Sequence, residues 1–394
     1  MTMALRVLIV HNAYQQHGGE DAVVAAETEL LQSRGHEVIR YGRDNREIET
    51  LSRPRLAIDT VWSARTTRDV AAQIAGFRPD VVHVHNTFPL ISPSVYWAAW
   101  QAGVPVVQTL HNFRLLCPQA ILLRDGRICE DCVGRQPWRG IRHGCYRGSP
   151  LQTAVLAGML TAHRALGTWQ TRVSRYIALN EFCRRKLVEG GLPAARIAIK
   201  PNFVDFPPPQ ETARAGFLFV GRLSAEKGIV TLAAAGRRLD DAHVIRIAGS
   251  GPEAAQLAGC ASLQPLGALD GTAIRAEMCR ATALVLPSIC YESFPRTLVE
   301  AYACGLPVIA SRLGALPDIV EDGQTGLLFA PGDADDLAAK IRWAQAHPEE
   351  MRRMGANALA RYRREFSAET NYQTLLTIYA QAVEQSREDH RHDK

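Results

Sequence analysis

The chain has 394 residues, 47% of them hydrophobic and 22% charged, with a formal net charge of +5. That length suits two domains of about 150–200 residues, and the composition is that of a globular protein. No apolar run reaches the 18 or so residues of a membrane-spanning helix, and so modest a charge gives no reason to expect a nucleic-acid partner. Nine cysteines, an odd number, fit a reducing compartment rather than a disulfide framework. The start, MTMALRVLIVHN, enters a strand without a signal-peptide cleavage site, so a cytoplasmic protein is expected.

In chain order, strands are expected at 6–12, 36–42, 80–85, 105–111, 174–180 and 196–202, with helical patterns between most of them. The first helix opens at Gly18-Gly19 and runs to about Ser33. This alternation predicts a parallel sheet covered by helices on both faces. Residues 112–150 break the rhythm with Cys, Gly, Pro and Arg. Pro207-Pro208-Pro209 makes a stiff linker, which places the first domain at 1–204 and a second at 205–366. The second restarts the pattern with GFLFVGRLSAEKG (216–228), then strands at 243–249, 263–267, 283–288, 307–311 and 326–332 and helices near 334–346 and 349–364. A last helix is expected over 367–385, from the spacing of Tyr372, Leu375, Leu376 and Tyr379. The charged tail after it, with His390 and His392, is expected to be disordered and solvated. The fold class is therefore α/β, with two Rossmann-like doubly wound domains. Ligands of such sheets bind beyond the carboxyl ends of the strands, so a cleft between facing domains is the expected site.

The stretch LVLPSICYESFPRTLVEAYACGLPVIAS (284–311) reads as strand, loop, helix, strand, with Pro295 as the first helical residue. A helix N-terminus favours an anion, here through the amides of Phe294, Arg296 and Thr297. Glu292, followed by Ser293, stands ahead of that helix, and Glu300 lies inside it. Carboxylates repel phosphate but accept well from hydroxyls. The layout suits a phosphate flanked by hydroxyls, as in a nucleotide-sugar. Arg222 and Lys227, five apart in a loop entering a helix, are placed to hold a diphosphate. Ser250 and Gly251 end another strand nearby. The Asp residues of GDADD (332–336) stand at a helix start, where Asp333 fits an N-cap better than a metal ligand, so no catalytic metal is expected.

With these surroundings, ESFPRTLVEAYACGLPVIAS and GRLSAEKG resemble the retaining family 4 glycosyltransferases, of GT-B fold, over nearly the whole chain. The resemblance implies that Arg222 and Lys227 hold the donor diphosphate, that Glu300 contacts the ribose and that Glu292 contacts the transferred sugar. It places Gly18 and Gly19 near the diphosphate and acceptor, and His111, at the end of PVVQTLH, beside the transferred sugar. It also implies an NDP-sugar donor, front-face displacement without a glycosyl-enzyme, and a last helix that crosses back to the first domain. Many members carry Gly where Pro295 stands, and Asp where Asn112 follows His111. A nucleotide-sugar epimerase of the same fold and a non-catalytic sugar-nucleotide or polymer-binding module are the rival readings. A dehydrogenase is disfavoured because neither unit begins with G-x-G-x-x-G.

Two features lie outside the resemblance. Cys117, Cys129, Cys132 and Cys145 form a C-x11-C-x2-C-x12-C array that could make a structural zinc site, with His143 able to replace one thiol, or could remain reduced. Residues 133–186 hold nine Arg and one Lys against the single acid Glu181. Within them, 151–169 reads as a helix with Leu151, Val155, Leu156, Met159, Leu160 and Leu166 on one side. Either this is a core helix with a basic rim, or an exposed apolar strip that meets an anionic membrane surface. The second reading suits a lipid-linked acceptor, as in bacterial surface polysaccharide synthesis, with the protein peripheral on the inner face of the plasma membrane.

Overall fold

A computed structural model describes residues 4–15, 18–209, 212–240 and 242–392. Apart from an unexpected short hairpin (Leu123–Arg124 with Arg127–Ile128), its strands are the apolar runs of the sequence, several of them a few residues shorter than expected. They are β1 (Arg6–Ala13), β2 (Glu37–Asp44), β3 (Val81–Asn86), β4 (Val106–Thr109), β5 (Leu123–Arg124), β6 (Arg127–Ile128), β7 (Arg175–Ala178) and β8 (Ile197–Ile199), followed by β9 (Phe217–Val220), β10 (Ile245–Ala248), β11 (Leu263–Gly267), β12 (Ala283–Leu286), β13 (Val308–Ser311) and β14 (Gly326–Phe329). One unit comprises Met1–Ile121, Glu130–Pro201 and Asn371–Lys394; the other comprises Leu122–Cys129 and Asn202–Thr370. The β5–β6 hairpin, whose residues are expected in the first domain, is thus grouped with the second.

The first unit holds a six-stranded parallel sheet of order β2-β1-β3-β4-β7-β8, and the second one of order β11-β10-β9-β12-β13-β14. Helices cover both faces, which is why the central strands are unbroken apolar runs: Val7 to Val10, and Ala283 to Val285, have no exposed surface. Pro265 is tolerated in β11 because that strand is an edge. Winding reverses between β1 and β3 in the first sheet and between β9 and β12 in the second. Those reversals leave a crevice at the strand ends, and both fix where chemistry can sit.

The last helix runs Ala368–His392, so it continues through the tail that the sequence suggests is disordered. The reason is that the tail finds partners. Arg196 donates to Asp389 (2.7 Å), and His390 stacks on Trp100 with ring centroids 5.9 Å apart. Further back, Tyr372 and Tyr379 are buried within the first unit, their hydroxyls 2.8 Å from His36 and His83.

The helix Pro150–Ala165 corrects the expectation of an exposed apolar strip. Leu156, Met159 and Leu160 are buried in the core, and only its two ends show large apolar side chains, Leu151 (73% exposed) and Leu166 (51%). Among the described residues no helix is long and apolar enough to cross a membrane.

Candidate active site

In the second unit, the loops after β9, β10 and β12 are bound into one surface. Leu223 N–H donates to Ser250 O (2.9 Å), Glu253 N–H to Leu223 O (2.8 Å) and Ile289 N–H to Glu226 O (3.0 Å). Gly228 is indispensable to this packing. Its φ is +73°, and a Cβ there would stand 1.8 Å from the Pro287 carbonyl oxygen. Gly251 is equally confined, its notional Cβ lying 2.3 Å from Leu223 O. Arg222 and Ser250 are exposed on these loops.

Lys227 Nζ donates to Glu292 Oε1 (2.6 Å), and Ser288 Oγ donates to the same oxygen (2.6 Å). Burial alone would raise Glu292, but the Lys227 charge and these two hydrogen bonds outweigh it and hold the carboxyl below its usual range. Lys227 is raised in turn, because Glu292 overcomes the burial that would lower it. The pair is therefore an ammonium and a carboxylate. Pro295 is the N-cap of the helix Arg296–Ala303, one position earlier than expected; Phe294 is buried beside it and Ser293 half-buried. Arg296 and Thr297 open the helix, and Arg296 Nε lies 3.0 Å from Glu300 Oε1. Burial pushes Glu300 up although Arg296 opposes it. Ten of the expected residues, from Arg222 to Glu300, thus lie at the carboxyl end of one sheet. Asp333 accepts from the amides of Asp335 (2.9 Å) and Asp336 (3.0 Å), which is capping geometry.

In the first unit, Gly18 is the N-cap of the helix Gly19–Ser33. Its N–H donates to Asp21 Oδ2 (2.8 Å), and Asp21 Oδ1 lies 2.8 Å from His11 Nε2. This helix end is thus already capped by its own carboxylate. A Cβ on Gly19 would meet nothing within 4 Å, so open space rather than backbone strain accompanies this glycine. His111 follows β4, half-buried, with Nε2 3.0 Å from His85 Nδ1 and the rings stacked. Asn112 turns its Oδ1 to the Arg114 amide (3.0 Å) rather than to His111.

Behind His111 lies a polar network that no motif announced. Lys200 Nζ donates to Glu27 Oε1, with both side chains buried, and to Asn371 Oδ1 (3.3 Å). His83 lies 2.8 Å from both Tyr379 Oη and Thr109 Oγ1. Burial, aided by the Lys200 charge and opposed by Glu27, pushes His83 down to about 4. Burial and then Lys200 push His111 down to about 3, and His85 is likewise held far below the ordinary value, so all three rings are neutral at pH 7. The one readable sign was the pair of polar residues in the otherwise apolar strand DVVHVH.

Among the described residues, Glu27, His83 and His85 form the group whose ligating atoms all lie within 4.8 Å of one another. Both His83 nitrogens already have partners, and the Lys200 ammonium stands where a cation would. Among the described residues, Cys117, Cys132 and Cys145 of the first unit do not form such a group. The thiols expected to hold zinc form no disulfide. Several contacts order the insert: Phe113 N–H donates to Ala120 O (2.9 Å), Lys186 to Glu130 (2.9 Å), and the Arg114 guanidinium stacks 4.7 Å over Phe88.

Residues 18–202 match the model described as a glycosyl transferase 4-like domain, and residues 205–361 that of glycosyl transferases group 1. The glycogen synthase of Mycobacterium tuberculosis is 30% identical over 323 residues, 77% of this chain and 68% of that protein. The chain belongs to the family 4 glycosyltransferases. Sulfoquinovosyl transferase of Arabidopsis thaliana is 33% identical over 287 residues, 69% of this glycosyltransferase and 51% of that protein. Sucrose-phosphate synthase from Thermosynechococcus elongatus superposes with a TM-score of 0.71 at 19% identity, covering 96% of this chain and 98% of that one. Anabaena HepE, solved with UDP-glucose, gives 0.66 at 17% identity, over 95% and 100% of the two chains. The two parallel-sheet domains and these neighbours establish the GT-B fold.

Proposed function

We propose that this glycosyltransferase is a retaining enzyme that moves a sugar from a nucleoside-diphosphate donor to a lipid-linked saccharide at an anionic membrane face. The observation that carries the donor half is the Lys227–Glu292 ion pair beside the β9/β12 reversal. Lys227 and Arg222 supply positive charge to the departing diphosphate, together with the first-turn amides of Arg296 and Thr297. Glu292 and Glu300 accept from hydroxyls on either side of it. The acceptor hydroxyl attacks the anomeric carbon on the face from which the diphosphate leaves. The new C–O bond forms on the face where the anomeric C–O bond to phosphate breaks, so configuration is kept, and the leaving phosphate oxygen takes the proton. HepE, of the same fold, binds UDP-glucose, which supports a nucleotide-sugar donor.

The acceptor half is supported by the surface of the first unit. Trp138 (55% exposed), Leu151, Leu166 and Ile58 (62%) project from helices that pack on one another, beside exposed Arg139, Arg142 and Arg147. Relatives named phosphatidylinositol N-acetylglucosaminyltransferase and lipopolysaccharide outer core galactosyltransferase point the same way.

A thermal-shift screen of UDP-, GDP- and ADP-sugars identifies the donor without an acceptor. The anomeric configuration of the product, read by NMR, then tests retention, and an inverted product would sink the mechanism. Donor turnover with no acceptor present would favour the epimerase instead.

A further inference from the structure

Among the buried atoms of the first unit with no hydrogen-bond partner of standard geometry are Glu27 Oε2 and His85 Nε2. They face each other at 3.5 Å, too close for a water to stand between them. Buried polar atoms are satisfied in nearly all native structures, so each is the natural partner of the other. Glu27 can only accept there, because Lys200 already donates to its other oxygen. His85 must then carry its proton on Nε2 and leave a lone pair on Nδ1. That lone pair faces His111 Nε2 at 3.0 Å, which must therefore be the donor. The chain of donors and acceptors has one consistent direction, set at its far end by Lys200, which has three N–H groups and no lone pair.

The geometry points to Glu27 and His85 as positioning residues that fix His111 in its Nε2–H tautomer, so that its Nδ1 is a hydrogen-bond acceptor. His83 stands outside the chain, since both its nitrogens are engaged by Tyr379 and Thr109. His111 borders a cavity of about 40 Å³ with His85, Asn86 and Arg114, enough for a single small group. An accepting Nδ1 suits a partner that donates, as a sugar hydroxyl does. The consequence for transfer rests on the proposed function; the tautomer itself does not.

The test is ¹⁵N NMR of the intact protein labelled at histidine, at pH 7. In the wild type, His85 and His111 should both read as neutral Nε2–H rings. His111 as Nδ1–H, or as an even mixture, overturns the proposal even if no variant folds. In Glu27→Gln, Lys200 keeps the single amide oxygen and turns the NH₂ toward His85 Nε2. Both rings should reverse, and kcat should fall about tenfold or more with donor KM little changed. An unreversed His111 in a folded Glu27→Gln protein overturns the relay. Reversal with unaltered transfer overturns the part of His111 in transfer and leaves the donor-site reading untouched.

Discussion

Both units put their reactive residues where the sheet reverses its winding, yet they treat charge in opposite ways. At β9/β12 the ions sit in close pairs, Lys227 with Glu292 on the loops and Arg296 with Glu300 on the helix that follows, and the partners are at most 65 residues apart. Around β1 and β3 the ion pair, Glu27 with Lys200, is sealed in the interior across 173 residues, and the histidines beside it are kept neutral. A surface pair can be tuned for a ligand at small cost to the fold, because water screens whatever is left unpaired. A buried pair cannot, since losing one partner strands a charge.

The contrast is broken most severely at Lys200. Lys200→Met leaves the Glu27 carboxylate buried without its counter-charge and should cost about 3–5 kcal/mol of stability. The double variant Lys200→Met/Glu27→Gln should recover part of that loss. Urea denaturation midpoints decide it, and a single variant as stable as the wild type would mean the pair is not sealed.

At the other reversal the expected loss is mainly of function. Lys227→Ala removes one charge-assisted contact, worth about 1.5–3 kcal/mol, so kcat/KM for donor should fall roughly ten- to hundredfold. The unfolding midpoint should fall by less than in Lys200→Met, because both partners keep some contact with solvent. Near-normal transfer at low donor concentration would remove Lys227 from the site.

The neutral histidines sharpen the comparison through pH. A histidine whose folded value lies below the unfolded one, about 6.5, contributes stability that is complete above that value and is lost as pH falls toward the folded value. For His83 the window runs from about 6.5 to about 4. Glu20, pushed up to about 8 by burial, works in the opposite sense over higher pH, so single variants are needed to separate the groups. In His83→Gln, stability should fall less steeply between pH 6.5 and 4, by up to about 1.4 kcal/mol per pH unit. An unchanged slope would show that His83 is not held neutral by the fold.

What could be read from residues alone follows the same division. The strands and the donor loops were legible because each depends on neighbours in sequence: apolar runs, a proline at a helix start, Arg222 and Lys227 five apart. Glu27, His85 and Lys200 were not, because a lone charged residue on a helix or strand shows its partner only when the sheet is assembled. The insert resisted for a local reason. Four of the six non-glycine residues with positive φ among those described, Ala120, Leu122, Asp125 and Arg147, lie in 112–150, where propensity rules have least hold. The cysteine spacing there allows zinc, but spacing carries no information on which way the thiols turn. The last helix outran its expected end because Asp389 and His390 meet partners distant in sequence, Arg196 and Trp100.

The smallest effect per residue is expected at the basic surface of the first unit, where the interior network gives way to solvent. The structure narrows the candidates, because much of the positive charge in 133–186 is already engaged. Arg164 donates to the carbonyls of Arg135 and Leu115 (2.6 and 2.9 Å), Arg172 stacks 3.7 Å over Trp100, and Lys186 pairs with Glu130 and Glu189. Arg139, Arg142 and Arg147 are exposed, with Arg139 no closer than 3.5 Å to Asp131. Near an anionic bilayer each basic residue contributes about 1 kcal/mol, and that attraction is screened over about 8–10 Å at ordinary salt. Replacing all three with Ser should therefore weaken sedimentation with anionic liposomes, and binding by the wild type should fall as salt rises. Trp138→Ala and Leu151→Ser should weaken binding in a way that salt does not alter, since apolar burial is not screened. Donor affinity should be unchanged in every one of these variants, because the donor loops belong to the other unit. Equal binding of the wild type to neutral and anionic vesicles, or binding to neither, would show that the acceptor is not reached through this face.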